Sequence, residues 1–144
     1  MLYNILKHTH SGLRWIVLLL LIAAIVTAWQ AMQSKSGGKS KLAMFAQISV
    51  HTQFLLGLIL YFISPHVQFG EGFMKNNVLR FYGVEHITIM ILAVVLITIG
   101  YSKGKRQADD YTRNRTVFRF YLAALILILL GIPWPFRIPV AGWF

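Results

Sequence analysis

Four apolar runs, separated by polar or basic stretches, organise the 144-residue chain. The first extends from Leu13 to Met32, with an unbroken apolar core from Ile16 to Val26, and the second from Leu42 to Ser64. The third begins FYGVEHITIMILAVVLITIG at Phe81, and the fourth covers Val117 to Ile132. Twenty helical residues rise roughly 30 Å, the thickness of a bilayer's hydrocarbon core. The pattern predicts an all-α integral membrane four-helix bundle, running up-down-up-down in a single domain over 1–144. Its predicted spans are approximately 13–32, 42–64, 81–101 and 117–132. Trp15 and Trp29 lie near the ends of the first span, where indole rings favour the interface. Pro65 stops the second span, and the Gly131-Ile-Pro-Trp-Pro segment stops the fourth, because proline cannot continue a helix. The linker Gln33 to Lys41 is Gly/Ser/Lys-rich and reads as a solvated turn. Phe69, Phe73, Trp134, Trp143 and Phe144 suit an interfacial position.

Composition agrees with a membrane domain. Hydrophobic residues make up 57% of the chain and the mean hydropathy is +0.63, against about 45–50% apolar residues in soluble domains. The formal charge of +10 comes from 14 Lys and Arg against four acids. These bases cluster in short segments between apolar runs, which fits topology determinants and not a nucleic-acid surface. The side of the two helical linkers carries nine bases and the side of the termini and the 65–80 loop carries five. That bias predicts cytoplasmic linkers and both termini on the outer face of a bacterial inner membrane, crossed several times. No cysteine is present, so disulfides, thiolate nucleophiles, zinc–thiolate sites, Cys-ligated clusters and covalent c-type haem are excluded. No separate signal peptide is expected, since the first apolar run is long and lacks a small-residue cleavage pattern.

The informative residues are the polar ones inside the spans. A charged carboxylate near the centre of a bilayer costs about 2–3 kcal/mol or more, so Glu85 and His86 need partners, a ligand or a water pocket. Lys7, His10 and Arg14 recur at spacings of three and four, hence on one helix face. Gln47 and His51 are one turn apart on the second helix, with Thr52 and Gln53 widening the patch. The fourth helix carries nothing strongly polar from Tyr121 to Gly131 and reads as scaffold. Three helices thus contribute one imidazole each: His10, His51 and His86. Histidine is the usual axial ligand of a non-covalent b-type haem held between helices. Arg14 suits a propionate, and Glu85 suits tuning of the site or proton exchange, as at a quinone head group. The bland alternative is that these groups hydrogen-bond one another and only specify helix pairing. Depth leaves the ligand pair open. His86 lies about five residues inside its span and His51 about thirteen, an offset of roughly 12 Å, and His10 is offset from His86 in the other direction. Paired acid catalysts, a phosphate-binding glycine loop and a HExxH motif are all lacking.

The segments His10-Ser-Gly-Leu-Arg-Trp15, Leu55-Leu-Gly-Leu-Ile-Leu-Tyr-Phe62 with His51 before it, Val84-Glu-His86, Ile99-Gly-Tyr-Ser102 and Gly131-Ile-Pro-Trp-Pro-Phe-Arg137 span nearly the whole chain. In these the chain resembles short four-helix membrane proteins of Bacteroidota that carry the label "cytochrome b". The resemblance implies haem b and electron transfer. The four regularly placed histidines of larger di-haem cytochromes are missing, which limits the chain to one haem at most. The expected function is electron transfer to or from a quinone or a partner subunit, with His86 and either His51 or His10 as ligands. The alternatives are a non-catalytic small subunit or assembly partner of a larger membrane complex, or an oligomeric proton or solute carrier using Glu85 and His86.

Overall fold

The computed structural model describes residues 1–34 and 40–143. All regular structure among them is helical. Four helices are long and apolar enough to cross a membrane: α1 (Leu2–Ser34), α2 (Leu42–Ile63), α3 (Asn77–Lys105) and α4 (Asp110–Gly131). Most of the linker turn expected at residues 33–41, including Lys35 and Lys39, lies outside the described residues, as does Phe144.

Local chemistry sets the helix ends. Ser40 Oγ accepts from the Leu42 N–H at the start of α2, and Ser64 leaves the helix in an extended conformation just before Pro65. Asn76 caps α3 by accepting from the amides of Val78 and Leu79. Asp109 caps α4 by accepting from the Thr112 amide, and α4 ends where Ile132 turns extended ahead of Pro133, as a residue before proline must. Helix α1 continues eleven residues upstream of Leu13: no proline interrupts Leu2–Gly12, and Lys7 and His10 fall on the face that Arg14 continues.

The bundle has four packed sides, α1/α2, α2/α3, α3/α4 and α4/α1, so α1 and α3 face each other across its diagonal. The α3/α4 side is the closest. Gly100 and Gly104, four apart, form a notch that receives Phe120 and Val117; a Cβ at Gly104 would come within 2.9 Å of Val117 Cγ2. Small residues four apart let two helix backbones approach closely where lipid gives no hydrophobic drive for pairing. Tyr121 is fully buried, and its hydroxyl donates to the Ala43 carbonyl at 2.7 Å, tying α4 to the first turn of α2. Outward-facing side chains such as Leu19, Leu55 and Leu130 are more than half exposed, the apolar exterior that a lipid environment requires.

The chain after α4 carries the aromatic residues expected at an interface. It folds back over one end of the bundle, where Trp134 packs on Trp15 (6.3 Å between centroids) and Trp143 (6.0 Å). Arg14 donates to the Trp143 carbonyl at 2.7 Å.

Candidate functional site

Beneath that folded-back tail lies a cavity of about 170 Å³, lined from all four helices and from the tail itself. Helix α1 supplies Lys7, His10 and Arg14, the three residues that share a face by spacing. Helix α3 supplies His86 and Tyr82. His10 and His86, from diagonal helices, are close enough to interact electrostatically, and Arg14 is within the same reach of both and of Tyr82.

His86 owes its placement to an irregular turn. Residues Phe81–Glu85 form a π-helical turn, and the His86 N–H bonds to the Phe81 carbonyl five residues back. Such a turn re-aims the following side chains and is frequent at functional sites. Tyr61 from α2 donates to the Gly83 carbonyl within it at 2.9 Å, and Phe81 is buried beneath it. His86 Nδ1 then lies 2.7 Å from the carbonyl of Gly131 at the end of α4. A carbonyl can only accept, so Nδ1 carries the proton and Nε2 keeps its lone pair. This nitrogen has no hydrogen-bond partner among the described residues. Metal-ligating histidines are held in this way, one ring N–H on a carbonyl or carboxylate and the other nitrogen free.

His10 is seated differently. Its ring fits against Gly57 of α2, where a Cβ would stand 3.0 Å from His10 Cε1. Gln53 Nε2 donates to the His10 carbonyl at 2.8 Å. Three polar atoms here are buried without partners: His10 Nδ1, Arg14 Nε and Gln53 Oε1. Native interiors satisfy almost all such groups, with protein atoms or ordered water, so these three atoms are open to a water or a ligand in the cavity.

The remaining expected site residues lie elsewhere. His51 does not line the cavity: its Nδ1 donates to the Gln47 carbonyl at 2.8 Å, and its Nε2 lies 3.1 Å from Thr98 Oγ1. The one Thr98 hydroxyl proton is shared between His51 Nε2 and the Val94 carbonyl, 2.7 Å away, and this contact joins α2 to α3. Gln47 reaches His51 only through its backbone. Glu85 is turned outward, pairing with Arg80 at 2.7 Å and Arg137 at 3.8 Å. It anchors the tail and does not face the cavity. Among the described residues no group of three or more His, Cys, Asp or Glu could hold a metal ion; of the expected ligands, His10 and His86 line the cavity and His51 does not.

Sequence reasoning passed over several cavity residues. His66 stacks on Tyr82 at 5.6 Å, although its position after Pro65 suggested a surface loop. Gly57 carried no chemical signal; its role appears only once His10 is opposite it. Lys7 was legible, since it shares the i, i+3, i+7 face with His10 and Arg14. No protein-family model, curated protein or solved structure matches the chain.

Proposed function

We propose that this protein is a multi-pass inner-membrane protein that binds one b-type haem between α1 and α3, with His10 and His86 as axial ligands, and passes electrons to or from a quinone or a partner subunit. The observation that carries this reading is the state of His86: its Nδ1 is held on the Gly131 carbonyl, and its free nitrogen shares a cavity with a second imidazole from the opposite helix. The donor set fits the group. Two imidazoles on diagonal helices, His10 and His86, would hold one haem, and Lys7 and Arg14 would offer cations for its carboxylates. One-electron exchange is the chemistry a b-type haem supplies when bound.

The chain's own residues position, neutralise and exclude water. The Gly131 carbonyl fixes the tautomer of His86 and the orientation of its ring. Gly57 leaves room for the His10 ring, and Gln53 holds the backbone behind it. The tail, fastened by Arg14 and by Arg137 on Glu85, closes the cavity from above. The path we infer is up-down-up-down, with the linkers cytoplasmic and both termini outside, supported by the even number of spans and the nine-to-five distribution of bases. The cavity then belongs to the outer half of the membrane.

Protein purified from haem-replete cells should show a Soret band and, on reduction, a b-type α-band. His10→Ala and His86→Ala should each lose them, whereas His51→Ala should keep them. Wild-type protein free of haem after reconstitution would end this reading. A second reading is favoured by the orphaned donors at Arg14 Nε and His10 Nδ1, which match the carbonyl oxygens of a quinone head group. A co-purifying quinone in colourless protein would select it.

A further inference from the structure

Farther along the bundle axis, a second void of about 260 Å³ lies between α1, the start of α2, the end of α3 and the start of α4. Its origin is readable in the sequence. Ala24, Ala28 and Ala43 place only methyl groups on its walls, where larger residues would close it.

Two cations, Lys105 and Arg113, line the void, and no acidic side chain does. The Arg113 side chain is only 13% exposed. One of its terminal nitrogens pairs with Asp110, whereas Nε is buried without a hydrogen-bond partner among the described residues. Lys105 Nζ lies 5.4 Å from the centre of the Tyr101 ring, also a wall residue, and has no ion pair among the described residues. Asn114, buried beside Arg113, completes the polar wall. The surroundings add Lys103, Arg106, Arg115 and Arg119 against Asp109 and Asp110.

A buried guanidinium with an unmet donor beside open space is costly unless an acceptor enters. Guanidinium forks match phosphate oxygens, and basic pockets between membrane helices are a recurrent seat for anionic head groups. We propose that this void binds a phosphate-bearing anion, held by Arg113 and Lys105. A phospholipid head group and free phosphate share that chemistry.

The test uses the full chain in phosphate-free detergent and in nanodiscs of phosphatidylcholine with or without phosphatidylglycerol. Unfolding temperature and retained lipid (by native mass spectrometry) are read for wild type, Arg113→Gln, Arg113→Lys and Ala28→Leu. Ala28→Leu fills the void and leaves every charge in place, so it separates a built site from general attraction to a basic surface. Stabilisation by inorganic phosphate in detergent identifies a free-anion site. Stabilisation only with phosphatidylglycerol, with that lipid retained, identifies a head-group site. In either case Arg113→Gln should weaken apparent affinity about tenfold or more, Arg113→Lys less, and Ala28→Leu should abolish binding. A response equal in wild type and Ala28→Leu, or no response to either probe, overturns the proposal. If Arg113→Gln does not fold, Ala28→Leu and Arg113→Lys still decide it.

Discussion

His86 receives its proton arrangement from a backbone atom, so it cannot be tested by deleting a partner side chain. The glycine that bears the carbonyl can be crowded instead. A Cβ at Gly131 would come within 2.6 Å of Met90 Cε and 2.8 Å of Ile89 Cγ2, pushing the end of α4 off α3 and moving the acceptor. Gly131→Ala should therefore keep the helices but weaken haem retention about 10–100-fold, the usual effect of disturbing a ligand's outer partner; titration of apo-protein with haemin measures it. Glu85→Gln makes the opposite prediction. It removes the charge between Arg80 and Arg137 and leaves the cavity walls alone, so the visible spectrum should persist while the C-terminal tail becomes more susceptible to limited proteolysis. The sequence showed that Glu85 and His86, about 100° apart on a helix, could not both face one ligand. It did not show which would turn inward. The π turn before His86 places the imidazole inward, and it is held by Tyr61 of α2, a contact from elsewhere in the fold.

Among the elements, the α3/α4 pair sets the geometry, because Gly131 and His86 sit across that joint. A Cβ at Gly100 would collide with Phe120 Cβ, so Gly100→Leu must part the helices. Overpacking of this kind costs about 1–3 kcal/mol, to be seen as a lower unfolding temperature and a weaker Soret band in the same protein. The N-cap of α4 gives a pH prediction. Hydrogen bonds from Thr112 hold the Asp109 carboxyl below its ordinary value of 3.8. Stability from this cap is therefore present above the unfolded carboxylate's range and is lost as pH falls through the lower folded value. Wild type should be more stable than Asp109→Ala at neutral pH, and their unfolding temperatures should converge in strong acid. Helix number and apolar character were plain from residue pattern alone, since length and hydropathy decide them. Residues 1–12 likewise read as the start of the first helix, at the membrane surface, and α1 does begin at Leu2; how deep they reach was not plain. Leu2–Gly12 is too polar to register as a span, yet as a helix it puts Lys7, His10 and Arg14 on the inward face. Counting from Leu13 therefore placed His10 too far out to meet His86.

For the whole molecule, the arrangement is a four-helix ring with a largely apolar cavity at one end, carrying Lys7, His10, Arg14 and His86 on its wall, and a tail folded over it. The tail's aromatic content suggested an interfacial anchor. Its prolines also turn the chain back, and Trp134 finds Trp15 and Trp143. Long-range closure of this sort has no local signature. The same is true of His51, whose polar neighbours on α2 suggested a ligand site; the ring is occupied because Thr98 of α3 happens to stand opposite. The proposed haem would lie at the α1/α3 diagonal, where His10 and His86 share one cavity. The measurement that addresses this most directly is the reduced-minus-oxidised spectrum, with haem quantified per chain, of wild type, His10→Ala, His51→Ala and His86→Ala purified in parallel. One haem per chain in wild type and His51→Ala, with the b-type band absent from the other two, is the predicted result. A band that survives His86→Ala or disappears with His51→Ala would contradict it.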